Sequence, residues 1–596
     1  MFMNRIIIKQ KAKNYKFLGC FFNYFYVIIK IHTEKFMDYK KHIAEKLNIE
    51  GVSPEEICSF IEIPPNNDMG DFALPCFKLS KIMRRPPVVI ADTLAASFVT
   101  DEVIEQATAV NGYLNFKINR TGFAKGLLKE ILSKGDSYGA SDIGKGKTVC
   151  IDYSSINIAK PFHIGHLSTT VIGSALCKIY RFLGYKVVGI NHLGDYGTQF
   201  GKLIVAYKKW SSEQAVIEGR LKELTRIYVK FHEEAKLDPS LDDQARRYFK
   251  LIEDGDKESN ELFNLFKKIT LEEVDKIYKL LNVSFDSYNG ESFYNDKMAP
   301  IVDELKEKGL IKISEGASIV DLEEYGMPPC LILKSDGSTL YATRDIAAAV
   351  YRKNTYDFDK CLYVVAYQQN LHFKQFFKVL EIMGKDWAKD MVHVAYGMVS
   401  LESGSMSTRG GNVVLLEDVI NKTIEKAKTV IEEKNPALPD KDKIARAVGT
   451  GAVIFGALCN NKIKDIVFSY DRVLSFEGET CPYVQYTVAR CNSVLNKCGE
   501  IKDYVMPEMN ADEYEVLSVL GRFGEVVKSS AEKYEPSLVT RYALDLATAF
   551  NKFYISSKIA IDDENLKNFR LSIAKAVKIT LTNALTLLGI ETVEQM

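Results

Sequence analysis

The sequence predicts an α/β protein built on a Rossmann-type parallel sheet that carries a helical insertion, with a small α+β domain before it and an all-α bundle after it. Three observations predict this. Strand-like TVCIDY, helix-like PFHIGHLSTTVIGSALCKIYRFLG and strand-like KVVGIN follow one another at the spacing of a βαβ unit. Strand and helix patterns alternate again from ASIVDL to LHFKQFFKVLEIMG. From about Lys443 to the end the pattern is almost wholly helical. A chain of 596 residues also exceeds one ordinary core, so three or four domains are expected.

Residues 1–36 hold seven basic residues and one acidic, and Phe17 to Ile31 is rich in Phe, Tyr, Val and Ile. That run is too short to span a membrane, is broken by Asn23 and Lys30, and precedes no small-residue cleavage site. It reads as an N-terminal extension, disordered or a mis-assigned start, with a targeting segment as the alternative. The functional chain is expected to begin at Met37, where MDYKKHIAEKLN is amphipathic. Residues 37–143 read as the small α+β domain around the polar turn IPPNNDMGDFALP, and SDIGKGKT is a linker into the next. The sheet domain is placed at 144–435, interrupted at about 203–289 by a charge-rich, glycine-poor helical insertion. After it ASIVDL, PPCLILK and KCLYVVAY read as strands and TRDIAAAVYRK as a helix; the bundle occupies 436–596. No tandem repeat or low-complexity tract appears.

With 78 basic and 78 acidic residues the net charge is zero, so nucleic-acid contacts would rely on local patches. Eleven cysteines show no CxxC or Cys/His spacing, which excludes a disulfide framework, predicts no protein-bound zinc and fits a reducing cytoplasm.

His163 and His166 stand around Gly165 where the first strand gives way to the helix. A helix N-terminus offers unpaired N–H groups and suits phosphate. Pro161 fits its first turn, and Gly165 permits close approach. On one face of a turn, two histidines can donate to oxygens that gain charge during displacement at phosphorus. The competing reading makes one histidine a cap and the other a core residue.

The motif's company is specific. PFHIGH resembles the HIGH signature of class I aminoacyl-tRNA synthetases. SSINIAKPFHIGHL, NHLGDYGTQFGKL, YNGES, LYATRDIAAA, YVVAYQQNLHFKQFF, MSTRGGNVV, TCPYVQYTVAR and the ending LLGIETVEQM resemble arginyl-tRNA synthetases in order from about Met37. The resemblance implies an arginine–tRNA ligase: arginine and ATP with Mg2+ give arginyl-adenylate, and the arginyl group passes to the terminal ribose of its tRNA, with tRNA required for activation. It implies a cytoplasmic monomer without membrane contact. No Ser/His/Asp or Cys/His constellation is visible, and such a reaction needs no protein nucleophile.

The resemblance assigns His163, Gly165 and His166 to ATP, and Asn157, Glu291, Tyr341, Asp345 and Gln369 to the arginine pocket. Carboxylates suit a forked, permanently charged guanidinium. The competing readings are a salt bridge of Asp345 with Arg344 and a helix-capping role for Glu291. The second nucleotide signature departs from the family's KMSKS: SMSTRGGNVV has Ser405, Thr408 and Gly410 where lysines are expected. Lys160 is implied as the replacement, with Met406, Ser407, Arg409 and Gly411 closing over the triphosphate. Ser168, where arginine is common, is a second departure. For tRNA the candidates are Tyr483, Tyr486, Tyr554 and Met596 in the bundle, Asn66, with Asn67 and Phe72, in the N-terminal module, and Lys462 and Lys464 as phosphate contacts. Two rivals are a class I synthetase for another amino acid and a catalytically weakened tRNA-binding paralogue.

Overall fold

The computed structural model describes residues 39–62, 64, 70–401, 414–475 and 478–596. The chain forms two compact units. One collects the chain up to Gly139 with Arg490–Ser529 and Asp545–Asn583; the other collects Ala140–Ala489, Ser530–Leu544 and Ala584–Met596.

The first unit begins as the predicted α+β module. Strands β1 (Phe72–Pro75), β2 (Ile104–Val110) and β3 (Tyr113–Ile118) make an antiparallel sheet in the order β1-β3-β2. Helices α1 (Pro54–Phe60), α2 (Pro87–Ser97) and α3 (Arg120–Lys134) accompany it. α1 and α3 start where Ser53 and Asn119 side chains accept the N–H of Glu56 and Gly122, which satisfies donors that the first turn leaves free. Phe72, Leu74, Leu114 and Phe116 form the buried face. Phe72, a candidate RNA contact, is fully buried there and so is corrected to a core residue of a strand buried along its whole length.

In the second unit β4 (Thr148–Asp152), α4 (Leu167–Phe182) and β5 (Lys186–Ile190) form the expected βαβ unit. The insertion supplies α5 (Thr198–Trp210), α6 (Glu213–Glu234), α7 (Ser240–Glu253) and α8 (Lys257–Leu280), followed by α9 (Met298–Glu307). Strands β6 (Ile311–Ser314), β7 (Ala317–Val320) and β8 (Cys330–Leu333) come next. ASIVDL and PPCLILK are therefore strands, but they pair in a separate antiparallel sheet, β6-β7-β8, and not in the parallel one. A short run with one buried face satisfies either kind of pairing, so periodicity did not distinguish them. Helix α10 (Tyr341–Tyr356), β9 (Lys360–Ala366), α11 (Asn370–Ile382) and β10 (Met391–Tyr396) complete the sheet in the order β10-β9-β4-β5, all parallel. Its core joins Cys150, Val188, Ile190, Ile346, Tyr363 and Phe376.

Strand β11 (Val399–Leu401) pairs in parallel with β12 (Ile466–Phe468), and between them lie α12 (Leu416–Lys434) and α13 (Lys441–Leu458). The end of the chain is helical as expected: α14 (Cys481–Cys498), α15 (Ala511–Leu520), α16 (Phe523–Glu532), α17 (Ser537–Ser556) and α18 (Glu564–Leu587). Within the first unit α3 and its following turn meet these helices. The Arg120 guanidinium lies 4.2 Å from the Tyr514 ring, Tyr138 donates to the Leu520 carbonyl at 2.9 Å, and Asn583 donates to the carbonyls of Gly135 and Tyr138 at 3.0 and 3.2 Å. Among the described residues no helix is long and apolar enough to cross a membrane.

Candidate active site

The site opens at the carboxyl ends of β4 and β9, where a parallel sheet leaves its crevice. The chain leaves β4 at Asp152 and runs to the histidines through a loop with three non-glycine residues at positive φ: Ser154 (68°), Ser155 (46°) and Ala159 (59°). Side chains fix it from several sides. Ser155 donates to Asp152 Oδ1 at 2.7 Å, Ser154 N–H donates to Thr169 Oγ1 at 3.0 Å, and the Thr169 hydroxyl donates to the Val364 carbonyl at 2.7 Å. Asn157 sits exposed, bridged to Gly194. A Cβ on Gly194 would lie 2.4 Å from Asn157 Oδ1, so a side chain there would displace the Asn157 amide from its present position.

The histidines differ from the expected helix. α4 begins at Leu167, not at Pro161, because His163 is extended and bridged to Leu415: Ile164 N–H donates to the Val414 carbonyl at 3.1 Å and Leu416 N–H to that of Phe162 at 3.0 Å. Residues 164–166 make a single 3-10 turn with His163 as its cap. His163 Nδ1 accepts Gly165 N–H at 3.1 Å, and His166 Nδ1 accepts His163 N–H at 3.2 Å. The rings are 4.0 Å apart, with Phe162 stacked on His166. Accepting at Nδ1 leaves the His163 ring proton on Nε2, while His166 Nδ1 also lies 3.3 Å from the His163 carbonyl, so its contacts serve either tautomer. Burial lowers the pKa of His163; burial first, then His163 and Lys160, pushes His166 down to about 3. The capping reading is thus realised at His163, where it fixes the tautomer a donor role needs. Lys160 is close enough to act on His166 electrostatically.

Besides Asn157, the arginine candidates come from three further segments. Glu291 opens the short helix after Gly290, its N–H bonded to the Leu193 carbonyl at 2.9 Å. Tyr341 and Asp345 lie in the first turns of α10, Tyr341 being 69% exposed, and Gln369 is exposed just before α11. Arg344 pairs with Glu291, not with Asp345: its Nη1 lies 3.8 Å from Glu291 Oε1 and its guanidinium 4.4 Å from the Tyr196 ring. Asp345 Oδ2 is instead 2.6 Å from His372 Nε2. Burial raises Glu291 to about 7; Arg344 opposes this, and Asp345 and Asp195 add to it. Three carboxylates here face the two cations Arg344 and Lys267, so the pocket is short of positive charge.

Several groups were missed by sequence reasoning. Asp195, with a wholly buried carboxylate, is held by Lys267 at 2.7 Å and accepts Ser292 N–H and Oγ at 2.8 Å, which locks the turn carrying Glu291. Arg352, 1% exposed, donates to Asp152 Oδ2 at 2.7 Å and stands seven residues after Asp345 on α10. A lone arginine following AAAVY, two turns beyond Asp345, was the available signal. His372 lies inside a quoted string, yet nothing in its spacing links it to Asp345.

Ser168 is buried on α4. Met406, Ser407, Arg409 and Gly411, with Ser405, Thr408 and Gly410, lie outside the described residues, as do Asn66 and Asn67. The residues on either side of 402–413 are near the histidine turn: β11 on one side and the Val414–Leu416 bonds on the other. Tyr483, Tyr486 and Met596 belong to the second unit and Tyr554 to the first. Tyr486 and Tyr554 are exposed, Tyr554 under the Arg490 guanidinium at 4.9 Å, while Met596 packs on the core of α12 and α13. Lys462 is engaged by Glu535 at 3.2 Å, which argues against a phosphate role, and Lys464 is exposed.

Family models match along the chain: the arginyl tRNA synthetase N terminal domain at 37–118, the catalytic domain of tRNA synthetases class I (R) at 127–470, and the DALR anticodon binding domain at 484–596. Curated relatives include the arginine–tRNA ligases of Alkaliphilus metalliredigens, 51% identical, and Clostridioides difficile, 53% identical, each over 564 residues, 94% of this chain and 100% of the relative. Among solved structures the arginyl-tRNA synthetase of Thermus thermophilus superposes with a TM-score of 0.76 at 25% identity, covering 96% of this chain and 99% of that one. The fold is likewise that of the Plasmodium falciparum enzyme, TM-score 0.75 at 22% identity over 96% and 98% of the two chains.

Proposed function

Since the chain belongs to the class I arginyl-tRNA synthetases, we propose that the crevice at the ends of β4 and β9 is where it activates arginine and charges tRNA. The enzyme is an arginine–tRNA ligase. The arginine carboxylate attacks the α-phosphorus of ATP, supplied as its Mg2+ complex, and pyrophosphate leaves. The tRNA terminal ribose hydroxyl then attacks the carbonyl of the adenylate and AMP leaves. The observation that carries the site assignment is the charge deficit around Glu291 and Asp345, brought together from separate segments of the chain.

In this reading Glu291 and Asp345 receive the guanidinium, each already oriented by a neighbour, Arg344 and His372. Asn157, Tyr341 and Gln369 supply polar contacts at the exposed rim. His163 and His166 donate through Nε2 to phosphate oxygens whose charge grows in the transition state. Lys160 supplies the lysine that residues 405–410 lack, and Gly165 lets the nucleotide approach. Met406, Ser407, Arg409 and Gly411 complete the triphosphate contacts. Neutral histidines suit this work, because it requires donors and no proton removal. The rival readings, another amino acid or a weakened paralogue, find no support in relatives of this identity.

For tRNA we keep Tyr486 and Tyr554 as stacking platforms and Tyr483, Met596 and Asn66 as secondary contacts, with domains at 37–143, 144–435 and 436–596. The enzyme works as a cytoplasmic monomer. The test is arginine-dependent exchange of pyrophosphate into ATP, with and without tRNA, against lysine, glutamine and citrulline. Exchange with arginine alone, and only with tRNA present, is expected; exchange with lysine or citrulline at a comparable rate would refute the pocket.

A further inference from the structure

The strained loop ahead of the histidines leans on the insertion helix α8. Left-handed backbone is costly for residues with a Cβ, and this loop holds three between Ser154 and Ala159. Thr270 Oγ1 accepts the Ala159 N–H at 3.0 Å and donates to the Phe266 carbonyl at 2.8 Å. Its proton is thereby committed within the helix, and a lone pair is turned toward Ala159. Eight residues on, the Tyr278 hydroxyl is 2.8 Å from Ser154 Oγ and accepts Asn191 Nδ2 at 2.9 Å. One turn before Thr270, Lys267 holds Asp195 at 2.7 Å, and through it Ser292 beside Glu291. The far end of the helix is tied down as well, since Lys178 Nζ donates to the Asn282 carbonyl at 2.8 Å. A single stripe, Lys267, Thr270 and Tyr278, therefore grips the loops that carry Asn157 and Lys160, Asn191 to Asp195, and Glu291.

We propose that Thr270 is a positioning residue for adenylate formation, its hydroxyl holding Ala159 in the left-handed turn that sets Lys160 and the histidine turn against the nucleotide. Without that oxygen the buried Ala159 N–H has no acceptor, and the simplest relief is for residue 159 to leave the left-handed region and redirect the next residue. The effect falls on the ATP side, because the arginine carboxylates are held separately by Arg344 and His372. This rests on the reading above that Lys160 and the histidines serve ATP.

The experiment is arginine-dependent pyrophosphate exchange by the full chain with tRNA present, comparing wild type, T270V, T270S and A159G, with the melting temperature of each. T270V is expected to lower kcat for exchange about tenfold or more and raise the KM for ATP, while the KM for arginine stays within about twofold. T270S, which keeps the hydroxyl, and A159G, which adopts the left-handed turn freely, are expected to stay within about threefold of wild type. T270V within about twofold of wild type, T270S as impaired as T270V, or an equal rise in both KM values would overturn the proposal. If T270V does not fold, T270A is judged by the same limits. Absence of exchange in the wild type would instead remove the underlying assignment of function.

Discussion

Glu291 ionises near neutral pH because it is buried and shares its surroundings with Asp345 and Asp195, with Arg344 as partial relief. The sign of the consequence is fixed. Its pKa is raised from about 4.5 to about 7, so the unliganded fold loses stability as pH climbs through that window. A bound guanidinium favours the ionised form and returns the pKa downward, so arginine binding releases a proton. The KM for arginine is expected to rise by about tenfold per pH unit below about pH 7, and E291Q to flatten that dependence; steady-state kinetics from pH 5.5 to 8 read both. Asp345 is the second anion and packs little. Asp345→Ala is expected to abolish arginine activation, a loss of about a hundredfold or more in kcat/KM, with an unchanged far-UV spectrum; charging near the wild-type rate would move the guanidinium site elsewhere.

At the scale of elements, the buried Arg352 to Asp152 pair fixes α10 to the end of β4 and so sets Asp345 relative to the loop of Asn157. Arg352→Met leaves Asp152 buried without its cation, which costs about 3–5 kcal/mol. Urea unfolding measures it, and a loss under about 1 kcal/mol would mean that the pair is not what registers the helix. The elements also show what the sequence could disclose. The βαβ unit, the helical insertion and the helical end were legible, because their periods of two and 3.6 extend over many residues. The start of α4 was not, since a proline that suits a first turn equally suits an extended approach to His163, and only pairing with Val414–Leu416 decides between them. Nor was the sheet to which β7 and β8 belong. Within the site, the acidic residues were visible as types in recognisable strings. Their partners, Arg344 to Glu291 and His372 to Asp345, depend on loop geometry that no local spacing encodes.

On the scale of the whole molecule, the first unit is made from the two ends of the chain. Gly139, at the close of the N-terminal segment, has φ +90° and faces the Phe523 ring, which a Cβ would meet at 2.4 Å. Gly139→Ala combines an unfavourable backbone with an overlap, and is expected to destabilise the first unit by at least about 2 kcal/mol. Thermal unfolding would show it as an earlier transition; a melting curve superimposable on wild type would contradict the packing.

The same construction has a consequence for synthesis on the ribosome. The acceptors that Asn583 meets, on Gly135 and Tyr138, emerge early, whereas Asn583 follows Tyr138 by 445 residues. At roughly 5–20 residues per second the N-terminal segment waits about 20 to 90 seconds for the helices that cover Tyr138. During that interval its apolar face is exposed beside a growing chain, and a holdase, or slower translation of the segment leading to Asn583, would change the yield of native enzyme without altering a residue of the active site.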